Sequence, residues 1–167
     1  MTVPFVAVLV GSDADLPVME STLEVLRRLG VAVEVRIASA HRTPAETRAY
    51  VQHAEERGAA VFVAAAGLAA HLAGAVAALT VKPVIGVPMA GGPLNGLDAL
   101  LSTVQMPGGV PVACVAIGPA GAKNAGYLAA EILALQDTEI AERLRAERSA
   151  TVEAIKQKNL ALTKRAG

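Results

Sequence analysis

Apolar residues in this chain fall into two kinds of run that take turns. Residues 5–10 are continuously apolar and stop at Gly11-Ser12, which predicts a strand buried on both faces. Residues 16–29 carry Val18, Leu23, Val25, Leu26 and Leu29 at helical spacing, with Asp15 at the N-cap position and Gly30 at the end. Residues 31–38 alternate instead: Val31, Val33, Val35 and Ile37 are set against Ala32, Glu34 and Arg36. That spacing predicts a strand with one wetter face, near a sheet edge. A helix is predicted over 44–57, stopped by Gly58, then a strand over 59–66 and an alanine-rich helix over 68–80. A strand over 83–89, a short helix over 95–104, a strand over 110–117 broken at Gly118 and a helix over 122–135 complete the series. Regular alternation of this kind predicts an α/β fold, a three-layer α/β/α sandwich around an open parallel sheet. With no long linker or repeat, residues 1–167 are expected to form one domain.

Two segments stand apart from the series. Between Arg57 and Lys82 there is no charged residue, a span long enough for a transmembrane helix. Val61, Phe62 and Val63 suit a strand, and Gly67 punctuates before the alanine-rich part, so a buried strand followed by a buried helix is the better account. No membrane partner is expected. The final segment, about 137–162, is charged and helical, with Ile140, Leu144, Val152 and Ile155 on one stripe and Glu139 four residues before Arg143. Added after the sheet is complete, it is expected to pack on another subunit of a homo-oligomer; the competing reading lays it on its own domain.

Composition supports this picture. Hydrophobic residues make up 53% and aromatic residues 2%, with a mean hydropathy of +0.47. Such a core is filled by Ala, Val, Leu and Ile, and part of the apolar excess is expected in subunit contacts. Fifteen basic residues balance fifteen acidic ones, so no electrostatic footprint for nucleic acid exists. The amino terminus has no basic region before its apolar run, so no signal peptide is expected. Cys114, inside an apolar run, is expected to be a buried structural thiol in a reducing cytoplasm.

Ligands of open parallel sheets bind at the carboxyl ends of the strands, where four loops carry informative residues. Ser39-Ala40-His41-Arg42-Thr43-Pro44 brings a hydroxyl, an imidazole and a guanidinium to a helix start, with Thr43 to Glu46 readable as a capping box. That is a setting for an anion beside a group that moves protons near neutral pH. In Gly11-Ser12-Asp13-Ala14-Asp15, Ser12 suits a phosphate and Asp15 a ribose hydroxyl or a helix cap. In the third loop the small residues around Gly67 let backbone approach a planar ring. His71 there is either a polar contact or a satisfied core histidine. His53, beside Glu55 and Glu56, is a surface residue. The glycine-rich segment from Pro88 to Asp98, with Ser102 and Gln105, is placed to shape or cover a pocket. The chain contains no G-x-S-x-G, C-x-x-C or H-E-x-x-H motif, so neither a serine hydrolase nor a metal site is supported. The residues by themselves reach a site for a phosphorylated small molecule with one histidine as acid/base.

Together, Gly11-Ser12-x-x-Asp15, the 39–44 stretch, Ala69-Ala70-His71-Leu72, and the runs 83–88 and 96–107 resemble the N5-carboxyaminoimidazole ribonucleotide mutases of purine biosynthesis. Ile117-Gly118 and Asn124-Ala125 match as well, and the resemblance covers about residues 6–135 and continues into the final helix. It implies a flavodoxin-like subunit of a homo-octamer that needs no cofactor and no metal. The substrate would be a carboxylated aminoimidazole ribonucleotide whose carboxylate moves from N5 to C4. By motif, Ser12, Asp15, Ser39 and Arg42 would hold the ribose phosphate, Asp15 taking the ribose hydroxyls. Gly67, His71 and Leu72 would also contact substrate, and His41 would be the general acid/base. A sibling branch carboxylates the aminoimidazole with free CO2; there a lysine follows the catalytic histidine and arginine-serine-asparagine replaces alanine-alanine-histidine. Arg42 and Ala69-Ala70-His71 place this chain with the mutases. The alternatives are that sibling activity, or a nucleotide- or flavin-binding module without turnover. Ala14, Ala65, Leu68 and Ala73 depart from residues common in the family, and bear on the first and third loops.

Overall fold

The run Phe5–Val10 forms strand β1, with all six residues buried. The structure, a computed structural model, describes residues 3–166 and their side chains as far as residue 162. Strands β2 (Ala32–Ile37), β3 (Ala59–Ala66), β4 (Val84–Pro88) and β5 (Ala113–Cys114) join β1 in a parallel sheet of order β2-β1-β3-β4-β5. This is the flavodoxin-like order, whose switch point lies between β1 and β3. Alternation within β1 divides the core. Val6, Val8 and Val10 pack towards helices α1 (Leu16–Arg28) and α5 (Pro119–Leu133), while Phe5, Ala7 and Leu9 pack towards α2 (Pro44–Glu56) and α3 (Leu72–Ala77). Helix α4 (Leu97–Val104) covers the second face beside α3, with the Thr103 methyl lying over Gly86. The expected three-layer sandwich is therefore present.

Small residues let the first layer pack closely. A Cβ on Gly126 would stand 3.0 Å from both the Thr22 carbonyl oxygen and Val25 Cβ, so α5 approaches α1 at backbone distance. The Thr22 hydroxyl is buried there and donates to the Ala122 carbonyl at 2.6 Å. Strand β2 is the sheet edge, as its alternation predicts, but only half of its apolar face is covered. Val31 is buried and Val33 packs on the core, whereas Val35 and Ile37 are 41% and 53% exposed.

Several local expectations need correction. Helix α3 starts at Leu72, not at 68, because Leu68 has a φ of 54° and residues 68–71 form a loop. The last strand pairs only at Ala113–Cys114 instead of over 110–117. Pro111 cannot donate, and single bonds from Val115 N to Gly86 O and from Gly118 N to Pro88 O carry the chain onward. Cys114, on this edge, is half-buried and free, and burial raises its thiol above the ordinary value.

The final helix α6 (Thr138–Ala166) is capped by Asp137, whose Oδ1 accepts from Glu139 N and Ile140 N. Ile140 and Leu144 are buried against the molecule's own core. Arg143 donates to the Leu29 carbonyl at 2.9 Å, and Arg28, Tyr127 and Glu147 form a shared hydrogen-bonded cluster. The helix thus lies on its own domain over its first turns, as the competing reading had it. Only beyond these turns do Val152 and Ile155 face outward, 53% and 54% exposed. Among the described residues no helix is long and apolar enough to cross a membrane, and the charge-free stretch is β3, a loop and α3.

Candidate active site

The loops after β1, β2, β3 and β4 meet above the switch point and enclose a cleft of about 680 Å³. Ser12, Asp15, Ser39, His41, Arg42, Gly67, His71 and Leu72 all line it. The sheet's parallel register performs this convergence, bringing together residues far apart in sequence.

In the first loop, Ser12 caps a single 3-10 turn, Asp13–Asp15. Its Oγ accepts from Ala14 N at 3.2 Å and contacts Asp13 Oδ1 at 3.1 Å. Asp15 stands at the N-cap position of α1, but its side chain makes no capping bond, so the carboxylate is left for the cleft. Burial raises the Asp15 carboxyl above its ordinary value of 3.8, with the Asp13 charge adding to the rise and a backbone hydrogen bond from Ser12 opposing it.

The second loop is folded around Ser39. Its Oγ accepts from the Arg42 backbone N–H at 3.1 Å and faces Arg42 Nε at 3.4 Å, while Arg42 Nη2 donates to the Gly11 carbonyl at 3.0 Å. Arg42 therefore ties the second loop to the first. The expected capping box does not form: Thr43 makes no side-chain cap. Its hydroxyl accepts from Ser39 N at 3.1 Å and turns back to the Ser39 carbonyl, so it closes the loop rather than the helix. Helix α2 thus begins with free backbone N–H groups beside Ser39 and Arg42, an arrangement that suits a phosphate.

His41 Nε2 lies 2.8 Å from His71 Nδ1, with ring centroids 4.9 Å apart and planes at 76°. One nitrogen must donate and the other accept, so at least one ring is neutral while the contact holds. This decides between the two readings of His71: it is an exposed partner of His41 in the cleft, not a buried core histidine. His53 is on the surface, 3.7 Å from Glu56.

The fourth loop, expected with Ser102 and Gln105 to shape or cover a pocket, supplies part of the cleft wall, and Ser102 acts from behind it. Ser102, on α4, accepts from Ala70 N at 3.0 Å and donates to the Asp98 carbonyl at 2.7 Å, which fixes the backbone just before His71. Met89, Ala90, Gly91 and Gly92 line the cleft; the signal for them was the small-residue run after β4, which shows no side-chain chemistry. Gln105 and Asn95 do not line this cleft. One side of the cleft thus carries Arg42, hydroxyls and helix N–H groups for an anion. The other offers an imidazole pair and closely approaching backbone for a flat ring.

The model of the AIR carboxylase family matches residues 5–154. The chain is 55% identical over 142 residues to the N5-carboxyaminoimidazole ribonucleotide mutase of Thermotoga maritima, covering 85% of this chain and 82% of that one. It is 48% identical over 164 residues to the protein of that name from Mycobacterium tuberculosis, covering 98% and 93%. Among solved structures it is similar to Treponema denticola PurE, with a TM-score of 0.86 and 28% identity over 95% of this chain and 98% of that one. With the family model and these relatives matching almost its whole length, the chain belongs to the AIR carboxylase family.

Proposed function

We propose that this protein is an isomerase, an N5-carboxyaminoimidazole ribonucleotide mutase of purine biosynthesis, and that residues 1–167 act as one catalytic domain. The observation that carries the reading is His41: it stands in the cleft against His71, between the anion-binding loops and the small-residue loops. Relatives of that name at about half identity support it. Arg42 and Ala69-Ala70-His71 distinguish it from the sibling that uses free CO2.

In this mechanism, Ser12, Ser39, Arg42 and the start of α2 hold the ribose phosphate, and Asp15 accepts from the ribose hydroxyls. Gly67 and Leu72 border the aminoimidazole ring. The carbamate C–N bond breaks, its electron pair stays on N5, and N5 takes a proton from His41. The CO2 released remains beside the ring, and C4 attacks it to form the new C–C bond. His41 then removes the proton from C4. The proton gained at N5 and the one lost at C4 balance, so the reaction is an isomerisation. His71 steadies the His41 ring and accepts or donates according to its partner's state. Exclusion of water matters because escaping CO2 uncouples the two halves.

Purified protein should convert the N5-carboxylated ribonucleotide to the C4-carboxylated one without ATP or added bicarbonate. Conversion of the uncarboxylated aminoimidazole with CO2 alone would instead assign the sibling activity. The working form is proposed to be a homo-octamer in the cytoplasm.

A further inference from the structure

Leu68 is one of two non-glycine residues with positive φ among the described residues, at 54°. Leucine gains nothing locally from the left-handed region, and its γ-branched side chain makes no compensating hydrogen bond there. Such a conformation is held by its surroundings, and outliers of this kind gather at functional sites. The surroundings are on hand. Leu68 lies in the loop after β3, and a Cβ placed on Gly92 in the loop after β4 would stand 2.4 Å from Leu68 Cδ2. The leucine therefore occupies the space that a side chain at Gly92 would fill, and it spans the two loops. Both residues line the same cleft as His41 and His71. Leu68 is also 55% exposed, so its outer side faces solvent while its inner side borders the cleft.

We propose that Leu68 is the cover of the reaction site: an apolar bar across the third and fourth loops that keeps CO2 beside the ring until C4 captures it. This rests on the mutase reading above. Chemistry favours an apolar cover, since CO2 carries no charge, is not anchored by a strong hydrogen bond, and is held chiefly by walls. The substrate's phosphate and ribose are fixed by Arg42, Ser39 and Asp15 on the other side of the cleft, so Leu68 acts on the partition of the intermediate and not on substrate affinity. It is a positioning residue, because its role is to confine and not to exchange a proton or electron pair.

Leu68→Gly removes the bar and suits a positive φ, and relief at that φ offsets the freedom glycine gives the unfolded chain, so the fold is retained and the melting temperature should stay close to that of the parent. The measurement is the ratio of free aminoimidazole ribonucleotide to C4-carboxylated product, in bicarbonate-free buffer, starting from the N5-carboxylated substrate. A several-fold rise in that ratio for Leu68→Gly, with KM near that of the parent, is expected; Leu68→Met, which keeps an apolar cover, should stay near the parent ratio. A parent enzyme that turns over while Leu68→Gly keeps its ratio overturns the role of Leu68 alone. A parent enzyme that gives no C4-carboxylated product overturns the mutase reading and this inference with it.

Discussion

In the proposed mechanism His41 and Asp15 have separate tasks, and their loss should show in different ways. His41→Asn removes the group that moves the proton but leaves the anion-binding loops whole, since no contact of Ser12, Ser39 or Arg42 passes through the imidazole. Turnover should fall by about 10²- to 10⁴-fold, while titration calorimetry still detects ribonucleotide binding. Full activity would remove His41 from the mechanism. Asp15 predicts a pH effect. To accept from ribose hydroxyls its carboxyl must be ionised, and burial places its pKa above the ordinary 3.8. As pH falls through that raised value, kcat/KM should decline; in Asp15→Asn the acid limb should vanish and KM should be high throughout. Legibility at this scale was uneven. The motif residues were visible because their chemistry is local: a serine, an imidazole and a guanidinium following a strand. Thr43 and Leu68 were misread because their conformations are decided elsewhere. Thr43 bonds back to Ser39 instead of capping, and Leu68, a good helix former, is held left-handed against Gly92.

Strands whose apolar runs are continuous, β1, β3 and β4, were legible because burial on both faces writes itself into every position. Strand β5 was not, since an edge strand flanked by Pro111 and Gly118 needs few ladder bonds and its composition does not reveal how few. Helix α6 was half legible: its stripe was seen, but not that Ile140 and Leu144 belong to the molecule's own core. What fastens this helix is testable. The Arg28 guanidinium holds the Glu147 carboxyl below its ordinary value of 4.5, and the Tyr127 hydroxyl, donating at 2.8 Å, helps it do so. A depressed carboxyl contributes stability that is present above its unfolded pKa and lost as pH falls through the folded one. Parent stability should therefore decline below pH 4.5, and the decline should be shallower in Glu147→Gln. Near neutral pH the variant should lose roughly 1 kcal/mol in urea unfolding, since Arg28 is about half exposed. An unchanged acid limb would mean that the cluster does not anchor the helix.

At the scale of the whole molecule, the apolar excess seen in composition reappears as surface. Leu97, Leu101 and Val104 are spaced four and three residues apart on α4, each between 46% and 51% exposed, while Ala99 and Thr103 point inward. Val152 and Ile155 extend the pattern on α6, and Val35 and Ile37 on β2. A helix with an inward face packed on the domain and leucines along its outward face has two surfaces to bury, and one chain covers only one of them. The proposed octamer would cover the other. Helix α4 also carries Ser102, whose hydroxyl fixes Ala70 immediately before His71, so in the proposed octamer one helix would link the subunit contact to the cleft. Leu101→Glu places a charge on the outward stripe without touching the cleft, the inward residues of α4 or Ser102. Light scattering at micromolar concentration should give the parent a mass near eight chains of 17.0 kDa and the variant a smaller species. If α4 is steadied by its neighbour, kcat should fall in the dissociated variant by more than KM rises, because loosening Ser102 disturbs the His41–His71 contact and leaves the phosphate loops intact. A dissociated variant with parental kcat would separate the two roles of α4, and a monomeric parent would contradict the assembly itself.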